Sequence, residues 1–82
     1  MTAFILINIE GPRAAEIAER LRDLKGIAEV HLVAGEYDIL AITRVPDNVA
    51  LSNLITRNIV HTPGVLRTKT LISMEEHTGA AA

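Results

Sequence analysis

Residues 28–44 read Ala-Glu-Val-His-Leu-Val-Ala-Gly-Glu-Tyr-Asp-Ile-Leu-Ala-Ile-Thr-Arg, two runs of strand-forming residues on either side of Gly35-Glu36. In the first run, about Ala28 to Ala34, Glu29, His31 and Val33 alternate with Val30, Leu32 and Ala34, the period of an extended chain. The second run starts at Tyr37 or Asp38, is apolar at nearly every position to about Arg44, and stops at Val45-Pro46. Gly35-Glu36 predicts a tight type II′ hairpin, because glycine accepts the positive φ of the first turn position. The two strands are therefore antiparallel neighbours, one polar at alternate positions and the other not.

On the N-terminal side of this pair, Ala14, Ile17, Ala18, Leu21 and Leu24 recur at helical spacing from Pro12 to Lys25, with Arg13, Glu16, Glu19, Arg20, Arg22 and Asp23 between them. Pro12 suits the first helical position and Gly26 a left-handed stop. On the C-terminal side, Asp47 or Asn48 caps a second helix carrying Val49, Leu51, Leu54, Ile55 and Ile59, and Thr62-Pro63-Gly64 halts it. Beyond these lie two outer strands, Ala3 to Ile9 and Val65 to Met74. Lys25-Gly26-Ile27 after one helix echoes Pro63-Gly64-Val65 after the other, so the chain reads as two related halves. The order β-α-β-β-α-β predicts an α+β, ferredoxin-like sandwich with antiparallel strand order 4-1-3-2. Glu29, His31, Arg67 and Lys69 fall on the two strands this topology puts at the edges, where charge is expected.

Both helices of such a sandwich cover one sheet face and leave the other open. In a lone subunit the open face turns polar, yet Phe4 and Leu6 oppose Ile5 and Ile7 on the first strand, and Leu40 and Ile42 oppose Ile39 and Ala41 on the third. Four strands at ~4.8 Å spacing and about five residues at ~3.3 Å project a patch of roughly 300 Å². That reaches the largest apolar patch of an ordinary monomer, so a facing sheet from a second copy is expected to cover it.

With 82 residues there is room for one domain, assigned to 1–76, with 77–82 as a loose tail. No cysteine is present, which excludes disulfides and thiol catalysis, and a net charge of −2 with only Phe4 and Tyr37 aromatic argues against direct nucleic-acid binding. The N-terminal apolar run stops at Asn8 without a basic flank, so neither signal peptide nor membrane span is expected, and the cytoplasm is the default location.

His31, His61 and His77 fall on different elements, without metal-ligand spacing, and the serines and threonines lack a neighbouring base. No phosphate-binding glycine loop occurs, and neither cofactor nor metal is expected. The polar group that stands out is Gly35-Glu36-Tyr37-Asp38. A glycine turn bares backbone N–H groups that suit a carboxylate, and Asp38 offers a carboxylate to an ammonium, so together they suit a zwitterion, with Thr68 and Thr70 adding hydroxyls. In the plainer reading, Asp38 closes the hairpin and the threonines are ordinary strand residues.

The run Val33 to Leu40, then Thr43-Arg44-Val45-Pro46-Asp47, Pro63-Gly64-Val65, Thr68, Thr70 and Met74-Glu75-Glu76, resembles the effector domain of the Lrp/AsnC regulators. These are the leucine-responsive and asparagine-responsive transcription factors, whose C-terminal module is called the RAM domain. The likeness extends from Ala3 to about Glu76. It implies dimers formed by facing sheets, assembly of dimers into octamer-like rings, and amino acids bound where dimers meet. Carried over by position, the binding residues are Leu32, Gly35, Tyr37 and Asp38, with Thr68, Thr70, Leu71, Ile72 and Ser73. Relatives often hold a larger side chain at position 71, so side-chain preference is not carried over with it. The departure is the missing helix-turn-helix: the first strand begins within three residues of the start, which implies a stand-alone module without operator binding, acting in transcriptional regulation by co-assembly with full-length relatives.

The resulting expectation is a non-enzymatic, self-assembling sensor of an amino acid or related metabolite. The alternative is a small cofactor-free enzyme of monooxygenase or isomerase type, which needs polar or aromatic side chains between sheet and helices. A third reading is an assembly partner without a ligand, for which Asp38→Ala leaves binding unchanged.

Overall fold

The computed structural model describes residues 1–82, and the hydrophobic pattern just described dictates its elements. They are β1 (Thr2–Ile9), α1 (Ala14–Arg22), β2 (Ile27–Leu32), β3 (Ile39–Arg44), α2 (Asn48–Asn53) with a π-helical continuation (Leu54–Ile59), and β4 (Val65–Ile72). The strands form one antiparallel sheet in the order β2-β3-β1-β4, the expected order read from the other edge. Alternation assigns the faces. Ala3, Ile5 and Ile7 of β1 pair with Thr43, Ala41 and Ile39 of β3, and all six are fully buried under the helices. Ile17 and Leu21 of α1, Leu51 of α2, and Leu54 and Ile59 beyond it complete that core with Val45. Thr43 is its one buried polar residue, and its hydroxyl donates to the Ala3 carbonyl at 3.1 Å.

The second helix is capped as its sequence indicates: the Asp47 carboxylate accepts from the Ala50 N–H at 2.8 Å. It does not stay α-helical. After Leu51 and Leu54 a regular helix turns Asn58 inward, whereas widening by one residue per turn from Leu54 to Ile59 brings Ile59 into the core and leaves Asn58 exposed. The first helix is shorter than its apolar spacing indicates. Pro12 lies in the Gly11 turn ahead of it, and the helix ends at Arg22, after which the Leu24 N–H reaches back three residues to Leu21 at 3.0 Å.

The two halves repeat in detail. The Ile27 N–H donates to the Leu24 carbonyl and the Val65 N–H to the Thr62 carbonyl, at 3.2 and 3.1 Å, and the intervening Gly26 and Gly64 have φ of +100° and +96°. At Gly64 space is as restrictive as conformation, because an added Cβ would lie 2.5 Å from Ile17 Cδ1. Gly64→Ala is expected to cost about 2–5 kcal/mol, combining ~1–2 kcal/mol of left-handed strain with ~1–3 kcal/mol of overpacking. The measurement is the urea midpoint, which should fall with an unchanged slope.

Strand boundaries differ from the sequence reading as well. The second strand ends at Leu32 rather than Ala34, and the third starts at Ile39. With Leu32 opposite Ile39 and the Val33 N–H on the Asp38 carbonyl at 3.0 Å, residues 34–37 form a four-residue loop and not a two-residue turn. The cause lies outside the hairpin: the Asp38 N–H donates to Ile7 and its carboxylate accepts from Ile9, which fastens this end of the hairpin to β1. The last strand ends at Ile72 because its partner runs out, the Ser73 N–H making the final rung to Thr2.

The face away from the helices presents Phe4 and Leu6 beside Leu40 and Ile42, half-buried among themselves, with Leu71 47% exposed next to Phe4. Glu29 and His31 on β2 border this patch on one side and Arg67 and Lys69 on β4 border it on the other. No helix of the chain is long and apolar enough to cross a membrane.

Candidate functional site

The loop between β2 and β3 is built around four backbone amides. Ala34, Gly35, Glu36 and Tyr37 make no backbone N–H hydrogen bond within the chain, while the residues on both sides do. Gly35, at φ +137°, gives the loop a course that side-chain-bearing residues rarely adopt. Its far end is fixed: Asp38 donates its N–H to the Ile7 carbonyl at 3.0 Å and accepts the Ile9 N–H on Oδ2 at 2.9 Å. That amide needs a side-chain acceptor because the register of β1 against β4 shifts between Asn8 and Ile9. The second carboxylate oxygen, Oδ1, has no partner in the chain. Free amides thus lie next in sequence to a carboxylate with an oxygen to spare, an arrangement suited to a small zwitterion: amides bind a carboxylate and Asp38 an ammonium.

The other predicted binding residues are only partly assembled around it. Thr68 lies opposite Ile7 on β4, close to the anchored end of the loop, and is half-buried with Thr70 on the helix side of the sheet. Thr70 lies opposite Ile5, and Ile72 opposite Ala3, so the series runs away from the loop along β4. Leu71 points to the opposite face, beside Phe4, so it cannot share a pocket in one chain with Thr70 and Ile72. Leu32, 54% exposed, ends the other edge strand, three strand spacings or ~14 Å from β4. One chain therefore brings Gly35, Tyr37, Asp38 and Thr68 to one end of the sheet and leaves Leu71, Ile72 and Ser73 at the other.

The hollows of the surface lie elsewhere. Clefts of about 220, 330 and 410 Å³ adjoin Glu10 and Gly64, α1 and β2, and Lys25 and Asn58, and none is lined by a predicted binding residue. The space between helices and sheet is filled with aliphatic side chains and the bonded Thr43. The side chains of His31 and His77 each hydrogen-bond to a glutamate two residues away, Glu29 and Glu75, and to no other group of the chain.

Two residues that the sequence does not point to as binding residues hold the loop. Asn8 donates from Nδ2 to the Glu36 carbonyl at 2.9 Å, and Arg67 donates from Nε to Asn8 Oδ1 at 3.0 Å. The signal for Asn8 was available, since it interrupts the apolar run of the first strand. Arg67 carried none, because an arginine on an edge strand is ordinary.

A family model for the Lrp/AsnC ligand binding domain matches residues 2–80. The leucine-responsive regulatory protein of Escherichia coli is 43% identical over 56 residues, 68% of this chain and 34% of that protein. Among solved structures, a Thermus thermophilus protein superposes with a TM-score of 0.87 at 36% identity, covering 95% of this chain and 98% of that one. A Neisseria meningitidis transcriptional regulator in complex with L-methionine superposes with a TM-score of 0.81 at 22% identity, over 99% of this chain and 55% of the regulator, a likeness of fold. The chain spans about half the length, or less, of the curated regulators it matches.

Proposed function

We propose a function from the premise that this chain belongs to the Lrp/AsnC ligand-binding domain family: it binds an α-amino acid in crevices between its own subunits and transmits that binding as a change of assembly. The observation that carries this reading is the run of unbonded amides 34–37 ending at Asp38. The amides take the α-carboxylate and Oδ1 of Asp38 takes the ammonium. A second chain supplies the wall that one chain lacks, since Leu71, Ile72 and Ser73 lie at the far end of β4 from this loop. A ligand touching two subunits favours the assembled state by its extra affinity there. The named response of the relative to leucine and the L-methionine held by the structural neighbour support an amino acid as ligand. The reaction chemistry of an enzyme has no support in the aliphatic filling under the helices.

Assembly begins with the open sheet face, covered by that of a second copy. Two-fold stacking about an axis along the strands sets each β2 over the partner's β4, whereas an axis across the strands sets β2 over β2 and β4 over β4. The first arrangement sets the edge carrying Glu29 over the edge carrying Arg67 and Lys69, with Lys69 the nearer cation, two residues along the strand from the level of Glu29, whereas the second sets the Arg67 and Lys69 edges over each other, so charge selects the first. Glu29→Lys is expected to weaken dimerisation about fivefold and Lys69→Glu added to it to restore the loss, since each rim pair contributes roughly 0.5 kcal/mol and occurs twice. Sedimentation equilibrium at low and high salt checks this.

Dimers then meet with the loop end of one against the far end of β4 of the next to form rings, and mixed rings with full-length regulators provide the output on transcription. Native mass spectrometry of the chain with and without a mixture of L-amino acids tests the whole reading, because it gives subunit count and bound mass together. The expected result is a larger assembly carrying ligand; a dimer of unchanged mass with every amino acid overturns it.

A further inference from the structure

Asn8 lies on the open sheet face in line with Phe4 and Leu6, at a position where another aliphatic residue would extend the patch. Its carboxamide works at both ends, donating to the Glu36 carbonyl and accepting from Arg67, and the two contacts fix which atom is nitrogen and which oxygen. Glu36 sits in the middle of the unbonded run 34–37. Apart from the Asp38 anchor, this is the loop's one hydrogen bond to the rest of the sheet. Arg67 is directly opposite Asn8 on β4, on the same face. A chain of contacts therefore runs from the sheet face to the loop.

We propose that Asn8 is the positioning residue of the binding loop and that Arg67 makes the loop respond to the covering of the sheet face. The inference rests on the reading of loop 34–37 as an amide cradle. In the open subunit both contacts are exposed and compete with water. When a second copy covers the face, water leaves the pair of Arg67 and Asn8, the charge-assisted bond between them strengthens, and the carboxamide is held rigidly against Glu36. The loop then meets its ligand already ordered, which lowers the entropy cost of binding. Coupling is reciprocal: a ligand that orders the loop holds Asn8 and Arg67 in their paired geometry and so favours the covered face.

The chain provides its own reporter, since Tyr37 is its one tyrosine and it has no tryptophan. The test compares native protein with Asn8→Ala, Asn8→Asp and Arg67→Ala, without ligand, by Tyr37 fluorescence anisotropy and by hydrogen exchange at Ile9, Val33 and Asp38, whose amides anchor the loop ends. In Asn8→Ala these amides should exchange at least fivefold faster and the anisotropy should fall, while Ile5 and Ala41 in the core exchange as before. Asn8→Asp keeps an acceptor for Arg67 but has no N–H for Glu36, so it should loosen the loop with the sheet intact. The native loop should tighten as protein concentration rises, and Arg67→Ala should remove that dependence. Native exchange in both Asn8 variants, faster exchange spread evenly through the core, or a concentration dependence that survives in Arg67→Ala each overturn the proposal. No amino acid is added at any stage, so failure to bind one leaves this result standing, and the reverse.

Discussion

Leu6→Glu is expected to yield a folded single subunit at concentrations where the native chain, on the proposed assembly, pairs through its open face. Leu6 sits at the centre of the open face, between Leu40 on β3 and Lys69 on β4, and is half-buried in one chain. In the separated state the glutamate reaches water from a surface position, so the fold loses little. In the paired state its carboxylate would be buried against apolar side chains, and two-fold symmetry repeats the penalty, once in each subunit. At about 2 kcal/mol or more per copy, the dimer dissociation constant rises roughly a thousandfold. Size-exclusion chromatography with light scattering gives the mass, and the urea midpoint shows that the subunit remains folded. A native mass for the dimer would mean that another surface pairs the subunits, and the argument from the open face would fall. The same variant should also weaken amino-acid binding, because crevices between dimers need dimers.

Local signals sufficed for the architecture. Alternation in 28–34, the nearly unbroken apolar run of 39–42 and the paired Lys25-Gly26-Ile27 and Pro63-Gly64-Val65 stops are short-range patterns, and the sheet order follows from their sequence of elements. Features set by distant partners were not legible. Gly35-Glu36 has the composition of a two-residue turn, yet the turn is widened by bonds from Asp38 to Ile7 and Ile9, some thirty residues away. The clamp of Arg67 on Asn8 spans 59 residues. The π-helical stretch was hidden for a related reason: Leu51, Leu54, Ile55 and Ile59 fit a helical stripe loosely, and only the demand of the core for Ile59 over Asn58 shows where the helix must widen. The expected binding residues form one set in the sequence, but the sheet order separates Leu32 from β4 by two intervening strands. That separation is what the proposed assembly requires, because residues meant to cooperate between chains need not converge in one.

Asp38→Asn is expected to weaken amino-acid binding at least tenfold while leaving the fold nearly intact. The carboxylate has two tasks, and they fall to different oxygens: Oδ2 accepts the Ile9 N–H at 2.9 Å, and Oδ1 is free for a ligand ammonium. Asparagine keeps one carbonyl oxygen of the same reach for Ile9, but it brings an amide group in place of the second oxygen and carries no charge. Loss of a charge-assisted bond to ammonium costs about 1.5–3 kcal/mol, so affinity should fall roughly ten- to 150-fold, with repulsion between amide and ammonium adding to the loss. Asp38→Ala separates the two tasks from the other direction. It removes the ammonium partner and also strands the Ile9 N–H at the irregular end of β1, so it should lose binding and about 1–3 kcal/mol of stability together. Calorimetric titration with L-leucine and L-methionine, alongside urea denaturation, distinguishes the cases. If Asp38→Asn binds within twofold of the native chain, the carboxylate only fastens the loop, and the ammonium must be recognised elsewhere in the crevice.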